Sequence, residues 1–197
     1  LDYDPVDTYS DVTEGMTDTG EKVVFKNKAA VVGHLTTIYN QMRDRQEHWY
    51  VDLLLIADSH ADNAYAGTTG AEVLPFENNS IEGSNSVMER DWNRYMEDVA
   101  RANILICNID AVTDNALTTT ERAQYKAEAK IFRAMVMFDM VRLWGDFPVI
   151  TTVADDITSD NIDEVYPQYF PAQNTELEAY QQIEKDLLDA CLLYTSP

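Results

Sequence analysis

Two loop segments of the sequence carry aromatic, amide and carboxylate side chains in the mixture that binds neutral carbohydrate. Aromatic rings stack on the C–H-rich faces of sugar rings, while amides and carboxylates hydrogen-bond the hydroxyls. The first segment supplies Asp62, Asn63, Tyr65, Phe76, Asn78 and Asn79, and the second supplies Tyr166, Pro167, Gln168, Tyr169, Phe170 and Pro171. From these we take as candidate ligand-binding residues Asp62, Asn63, Tyr65, Asn78, Tyr166 and Tyr169. The alternative is that the rings anchor their loops on the helices or contact a partner protein.

No catalytic motif stands out in the sequence. It contains no serine-hydrolase elbow, zinc-protease His-Glu-x-x-His, P-loop or dinucleotide fingerprint. The three histidines, His34, His48 and His60, are scattered, and among 35 acidic residues carboxylate pairs arise by chance. We therefore expect a protein that is not an enzyme and has no catalytic residues.

Metal-binding signals are equally weak. The cluster Asp58, His60 and Asp62 has Asn63 where a calcium-binding EF-hand loop needs glycine. An acidic loop could hold Ca²⁺ through Asp155, Asp156, Asp160, Asp163 and Glu164, although solvated carboxylates are the simpler interpretation. Cys107 and Cys191 are distant in sequence and make a weak case for a disulfide. We expect no metal and no cofactor, and we expect Cys107 to be a small buried side chain.

The net charge of −21, from 35 acidic and 14 basic residues, argues against binding nucleic acid or an anionic lipid surface. The charge is uneven. Residues 1–21 hold seven acids and no base, and residues 151–189 hold ten acids and one base, so these two stretches contribute −7 and −9. The middle of the chain is close to balanced, which is typical of an ordinary globular segment. The pattern favours a neutral ligand.

Hydrophobic periodicity predicts four amphipathic helices and almost no strand. The first begins near Asn27, with an apolar stripe of Val31, Leu35, Ile38 and Met42. The second runs from Ser86, with Glu89 as a capping-box partner, to about Asp110. The third begins after Thr118, pairs it with Glu121, carries apolar residues on two faces and stops at Gly145 and Pro148. Its two apolar faces are Ala127, Ile131, Ala134, Phe138 and Val141, and then Met137, Met140 and Trp144.

The fourth helix begins at Thr175, which Glu178 caps, and its apolar stripe is Leu177, Tyr180, Ile183, Leu187 and Leu188. Residues 58–85 and 146–174 read as long loops, with a short extended piece at 149–152. The apolar run 49–57 fits either a strand or a buried helix. Trp49, Trp92 and Trp144 lie in apolar patterns and are expected in the core. Helices with two apolar faces favour a stack of helix pairs.

Several segments resemble the SusD/RagB family, in order along the chain. The most specific runs from Glu128 to Ala134 and from Phe138 to Ile150, and is similar to the family's E-A-x-x-x-R-A helix and its G-D-x-P exit. The residues that carry this structural signature are Trp92, Tyr95, Asn103, Arg133, Ala134, Arg142, Trp144, Gly145, Asp146 and Pro148. Weaker similarities lie at Leu1–Pro5, at Asp58-x-x-x-Asp62-Asn63 and at Tyr180-x-x-Ile183-x-x-Asp186-Leu187.

We interpret the signature as structural: it closes a helix and locks the stack. In this reading Arg133 and Arg142 reach carbonyls or carboxylates on neighbouring helices. Gly145 permits the left-handed turn, and Pro148 imposes an extended exit.

The resemblance implies a mainly α fold of tetratricopeptide-like helix pairs with long loops and very little strand. It also implies a non-catalytic, cell-surface lipoprotein of the outer membrane of Bacteroidetes-type bacteria. Such proteins bind glycans, or in some cases peptides, for import with a SusC-like TonB-dependent transporter. The lipid anchor would lie outside this sequence. A helical-repeat scaffold without a small ligand is the alternative from a different class.

Three regions are expected along the chain. Residues 1–24 form an extended acidic N-terminal arm, and residues 25–190 form the N-terminal part of a SusD-like helical domain. Residues 191–197 do not resemble the family's continuation, and we interpret them as a truncation or read-through tail.

Overall fold

The computed structural model describes residues 24–44, 52, 53, 55–61, 63–67 and 69–195. Residues 1–23, which include most of the acidic arm, and the candidates Trp49 and Asp62 lie outside the described residues. The long helices are α1 (Lys28–Asp44), α3 (Ser86–Asn108), α4 (Thr119–Trp144) and α6 (Glu176–Thr195). The short ones are α2 (Leu74–Glu77) and α5 (Ile162–Val165).

A π-helical turn spans Leu55–Ser59, and 3-10 turns follow α3 and α5 at Ile109–Ala111 and Tyr166–Tyr169. The described residues form no β-strand, and a single bridge joins Phe147 to Asn174. The mainly α prediction is therefore confirmed. The described end of the apolar run 49–57 is helical, and the expected loop 58–85 contains α2.

Side-chain caps set the helix starts. Thr118 Oγ1 accepts from the Glu121 amide at 3.2 Å, and the Glu121 carboxylate accepts from the Thr118 amide. Thr175 and Glu178 make the same reciprocal pair at α6, which lowers the pKa of the Glu178 carboxyl. These two predicted capping boxes are confirmed. The one predicted at Ser86 is wrong, because Asn85 is the cap.

The Asn85 amide oxygen accepts from the second and third amides of α3, at 2.9 Å from Val87 and 3.3 Å from Met88. Ser86 is already the first helical residue, so an amide oxygen one position earlier takes the role expected of its hydroxyl.

The core forms where α4 packs between α3 and α6, with α1 lying against α3 and α4. On α1 the predicted residues Val31, Leu35 and Ile38 are buried, whereas Met42 is exposed. Trp92 and Trp144 are half-buried and pack against the core as expected, with their rings edge-to-face at 5.3 Å. The Trp144 ring also meets the fully buried Tyr95 at 5.6 Å.

A buried ion pair joins α4 to α6, and a hydrogen bond from the same arginine joins them to α3. The Arg133 guanidinium on α4 donates to both carboxylate oxygens of Asp186 on α6, at 2.6 and 2.7 Å. Its Nη1 also donates to Asn103 Oδ1 on α3 at 2.6 Å. The Asn103 amide in turn donates to the Ile150 carbonyl at 2.9 Å, so the exit segment 149–152 lies against α3.

The Gly-Asp-x-Pro exit places α6 on α4. Gly145 ends α4 with φ +70 and ψ −113, a backbone conformation that residues with a side chain rarely adopt. Asp146 Oδ1 then accepts from the first amide of α6, Glu176, at 2.8 Å. Asn174 then holds the exit segment on both sides of the half-buried Pro148. Its backbone forms a bridge with Phe147, and its Oδ1 accepts from the Val149 amide at 2.9 Å. Gly145 and Asp146 thus join the end of α4 to the start of α6.

The predictions for Arg142 and Cys107 are wrong. Arg142 does not reach a neighbouring helix: it pairs with Asp139 on its own helix and lies 4.6 Å above the Phe138 ring. Cys107 is exposed rather than buried, because it lies on the face of α3 that the exit segment only partly covers. Its thiol is 3.7 Å from the Thr151 carbonyl.

The apolar stripes of α4 and α6 are also only partly buried. Ala134 and Ile183 are in the core, but Ile131, Phe138 and Tyr180 are 49, 43 and 43% exposed. On α6 the buried positions are instead Ala179, Ile183, Asp186 and Ala190, while Leu177, Leu187 and Leu188 face outward. The expected tail residues Cys191–Thr195 continue α6, and their origin stays a prediction.

Removing one partner of the buried pair should be far more costly than removing a surface charge. Arg133→Met leaves Asp186 as a buried carboxylate without its cation, so we expect the free energy of unfolding to fall by about 3–5 kcal/mol. Adding Asp186→Leu should recover part of that loss. Lys185→Gln, at an exposed pair on α6, should cost at most about 0.5 kcal/mol. Denaturant unfolding measures all three, and equal losses for Arg133→Met and Lys185→Gln would contradict the account.

Two glycine-to-alanine changes should have opposite signs. At Gly145 a Cβ would lie 3.1 Å from Glu176 Oε1 on a backbone with positive φ, so Gly145→Ala should destabilise by about 1–3 kcal/mol. At Gly33, on the exposed face of α1, nothing lies within 4 Å of a Cβ. Gly33→Ala should therefore stabilise by about 0.5–1 kcal/mol. Thermal unfolding of the two variants tests the pair, and a gain in stability at Gly145 would refute this assignment of strain.

Candidate ligand-binding cleft

Three of the sequence-predicted residues come together in one surface cleft. Asn63, Tyr65 and Asn78 line it together with Ala64 and Glu77, around a volume of about 370 Å³. The cleft lies between the loop that follows the π-helical turn and the C-terminal end of α2. It thus combines one aromatic ring, two amides and one carboxylate.

Backbone hydrogen bonds hold the loop side of the cleft. The amides of Asn63 and Ala64 both donate to the Asp58 carbonyl, at 2.9 and 3.2 Å, which closes the chain after the π-helical turn. The Ala66 amide then donates to Glu77 Oε2 at 2.9 Å, so the loop is tied to α2. Gly67 follows with φ +71, a backbone conformation that glycine adopts without steric cost.

The short helix α2 forms the other side and is anchored by Phe76, which is fully buried. Sequence analysis left two roles open for Phe76, ligand contact or anchoring of its loop, and the burial of the ring agrees with anchoring. Asn78 caps the C-terminal end of α2, where its backbone amide donates to the Leu74 carbonyl at 3.1 Å. Asn79 has φ +53, a left-handed conformation that asparagine tolerates.

Tyr65 is the most exposed large hydrophobic residue among those that the structure describes, at 89%. Its ring contributes almost nothing to the core, so its apolar faces are open to a ligand. The Glu77 carboxylate and the Asn63 and Asn78 amides are acceptors and donors beside it. The arrangement suits a ligand that has an apolar face and hydroxyl groups around its edge.

Glu77 is the residue that sequence reasoning missed. As a carboxylate it is one of the residue types expected to bind sugar hydroxyls beside an aromatic ring, and it directly precedes Asn78 in the sequence. Among 35 acidic residues, however, nothing distinguished it before its bond to the Ala66 amide was seen.

Tyr166 and Tyr169 are not among the residues that line this cleft. They lie in the 3-10 turn after α5, which the buried Val165 anchors. The rings of Tyr166 and Phe170 contact each other at 4.9 Å, and the Tyr169 hydroxyl donates to the Asp155 carbonyl at 2.9 Å. The three rings are 48–66% exposed and form a second aromatic surface.

A buried carboxylate lies upstream of the cleft. Asp52 is 3% exposed and accepts from the Arg90 guanidinium on α3 at 2.5 Å. Burial, together with the neighbouring Asp91 carboxylate, raises the pKa of Asp52 to about 6. This contact ties the beginning of the cleft-bearing segment to α3.

The described residues contain no group of three His, Cys, Asp or Glu side chains placed to hold a metal ion. None of the helices described is long and apolar enough to cross a membrane.

A family model described as SusD-like, starch-binding and associating with the outer membrane matches residues 9–196. The chain belongs to the SusD-like family. A comparison with curated protein sequences found no significant match.

Solved SusD-like structures share the fold at low sequence identity. A laminarin-binding SusD-like protein superposes with a TM-score of 0.67 at 23% identity, covering 84% of this chain and 34% of that one. A SusD-like protein from Bacteroides fragilis gives 0.68 at 20% identity, with coverages of 92 and 32%. A SusD superfamily protein from Bacteroides thetaiotaomicron gives 0.62 at 20% identity, with coverages of 83 and 36%. This SusD-like chain spans about a third of the length of these relatives.

Proposed function

We propose that this chain is the N-terminal part of a cell-surface protein that binds neutral glycan for import. The exposed Tyr65 ring beside Asn63, Glu77 and Asn78 is the observation that carries the proposal. A ring of this kind stacks on the apolar face of a pyranose, and the flanking amides and carboxylate bond the equatorial hydroxyls. The family description as starch-binding supports the glycan class.

The charge of the protein supports a neutral ligand. A net charge of −21 repels polyanionic polysaccharides at long range. The cleft itself contains Glu77 and no basic residue, so an acidic sugar would bring a second carboxylate next to the first. Neutral glucans avoid this repulsion.

The import role rests on the family. We propose a lipoprotein of the outer membrane that acts with a SusC-like TonB-dependent transporter and does not catalyse a reaction. The family model's association with the outer membrane supports the location. The aromatic surface of Tyr166, Tyr169 and Phe170 is then a second glycan contact or a contact with the transporter.

Two alternative functions are tested by the binding experiment described below. A peptide-binding member of the family would use the ring and the amides on a peptide backbone instead of a sugar. A scaffold without a small ligand would leave Tyr65 unused.

Truncating Tyr65 should weaken glycan binding. In the full-length protein that carries this chain, we expect Tyr65→Ala to lower the affinity for laminarin or starch about 10-fold, because a stacked ring contributes about 1.4 kcal/mol. Isothermal titration calorimetry measures the affinity, and affinity gel electrophoresis screens the glycans, with polygalacturonate as the anionic comparison.

Tyr39→Ala is the matched control, because Tyr39 is a 51% exposed tyrosine on α1 outside the cleft. It should leave glycan affinity unchanged. Equal losses from Tyr39→Ala and Tyr65→Ala, or unchanged binding in Tyr65→Ala, would remove the cleft from the proposal. Absence of binding to every glycan, combined with capture of peptides, would favour the peptide-binding alternative.

A further inference from the structure

A second pocket lies between the first turns of α3 and the last residue of α4. Its volume is about 420 Å³, and none of its lining residues belongs to the candidate cleft. Its lining includes two indole rings, two carboxylates and two aliphatic or thioether side chains: Trp92, Trp144, Glu82, Glu89, Ile81 and Met88. Aromatic and anionic groups thus meet in one small pocket to which the glycan proposal assigns no role.

The two tryptophan rings are fixed by their neighbours. Trp92 and Trp144 pack edge-to-face, with 5.3 Å between ring centroids and 83° between ring planes. The Trp144 ring also contacts the ring of the fully buried Tyr95 at 5.6 Å. Both tryptophans are only half-buried, so part of each side chain stays accessible from the pocket. Aromatic cages with walls of this kind bind quaternary ammonium groups.

The loop that precedes α3 closes the pocket and is held by Asn85. The Asn85 backbone amide donates to the Glu82 carbonyl at 2.9 Å, and its side-chain amide donates to the Glu72 carbonyl at 2.9 Å. The side-chain oxygen of the same residue caps α3. These bonds fix the loop that carries Glu82 on the start of α3, so little ordering is left for a ligand to impose.

The two carboxylates of the pocket have no partner among the residues that the structure describes. Glu82 and Glu89 are exposed, and neither carboxylate makes a hydrogen bond or an ion pair there. The lining contains no basic side chain, so the pocket carries two uncompensated negative charges. A cation would be attracted both by these charges and by the faces of the rings.

Other classes of ligand fit this lining less well. It has no amide or hydroxyl side chain, and carboxylates only accept hydrogen bonds, so a neutral sugar would find few donors for its oxygens. Calcium takes six to eight oxygen ligands, and the described residues hold no group of three metal-ligating side chains. An anion would be repelled by both carboxylates.

We propose that this pocket binds a small organic cation that carries a methylated ammonium group. The methyl groups lie against Trp92 and Trp144, and the charge is neutralised by Glu82 and Glu89. The site is separate from the glycan cleft and does not depend on it.

Choline and its neutral isostere, in which a carbon atom replaces the nitrogen, test the charge requirement. Isothermal titration calorimetry on the full-length protein that carries this chain measures both affinities. We expect choline to bind about 10-fold more tightly than the isostere, because only the cation is attracted by the rings and the carboxylates. Equal affinities, or no binding of choline, would overturn the proposal.

Two variants test the residues. Glu82→Gln combined with Glu89→Gln should lower the affinity for choline about 10-fold and leave that of the isostere unchanged. Trp92→Phe should weaken choline binding several-fold, since indole is the strongest of the aromatic partners for a cation. Glu164→Gln, at an exposed glutamate on α5 outside the pocket, is the matched control and should have no effect. Unchanged choline binding in the double variant would contradict the assignment.

Competition separates this site from the glycan cleft. Tyr65→Ala should leave choline affinity unchanged, and laminarin or starch oligosaccharides should not displace choline. Displacement by the oligosaccharides would make the pocket a sugar subsite and overturn the proposal. Displacement by phosphatidylcholine vesicles would identify a lipid headgroup as the source of the ammonium group, whereas no displacement would identify a free small molecule.

Discussion

Arg133 is a full positive charge placed in the core, and the arrangement of the long helices depends on its partners. Asp186 accepts from its Nε and Nη2, and Asn103 accepts from its Nη1, so α6, α4 and α3 are joined through one guanidinium. A buried charge is tolerated only when its hydrogen bonds are satisfied, which makes this geometry demanding. Asn103 extends the constraint to the exit segment through the Ile150 carbonyl. The Gly145–Asp146 turn connects α4 to α6, and Asp146 binds the first amide of α6, the helix that carries Asp186.

The ligand-binding proposal concerns segments that this helical frame carries but does not form. The cleft loop is tied back at Asp52, which contacts Arg90 on α3, and at Phe76, whose burial fixes α2. Between these anchors, Tyr65 is left exposed at 89%. The signature residues Asn103, Arg133 and Asp146 belong to this frame, whereas Asn63, Tyr65 and Asn78 lie in the segments that it carries.

The sequence predicted the helices better than the surfaces. The capping boxes at Thr118 and Thr175 and the stop at Gly145 are local signals, and the structure contains all three. Periodicity predicted which residues of α6 form its apolar stripe, but it does not show which elements pack against that stripe. Leu187 was therefore expected to be buried, and it is 47% exposed. Cys107 was misplaced for the same reason, since burial depends on contacts distant in sequence. The grouping of Asn63, Tyr65 and Asn78 followed from their common loop, whereas Glu77 required the structure.

Native-state hydrogen exchange of the backbone amides tests the central claim that the Arg133 pair makes α4 and α6 one cooperative unit. Mass spectrometry of peptides from the two helices gives the opening free energy of each. The account predicts that the amides around Asp186 and those around Arg133 open with the same free energy, close to that of global unfolding. If α6 exchanges much faster than α4 and independently of it, the buried pair does not hold the helices together and the account is contradicted.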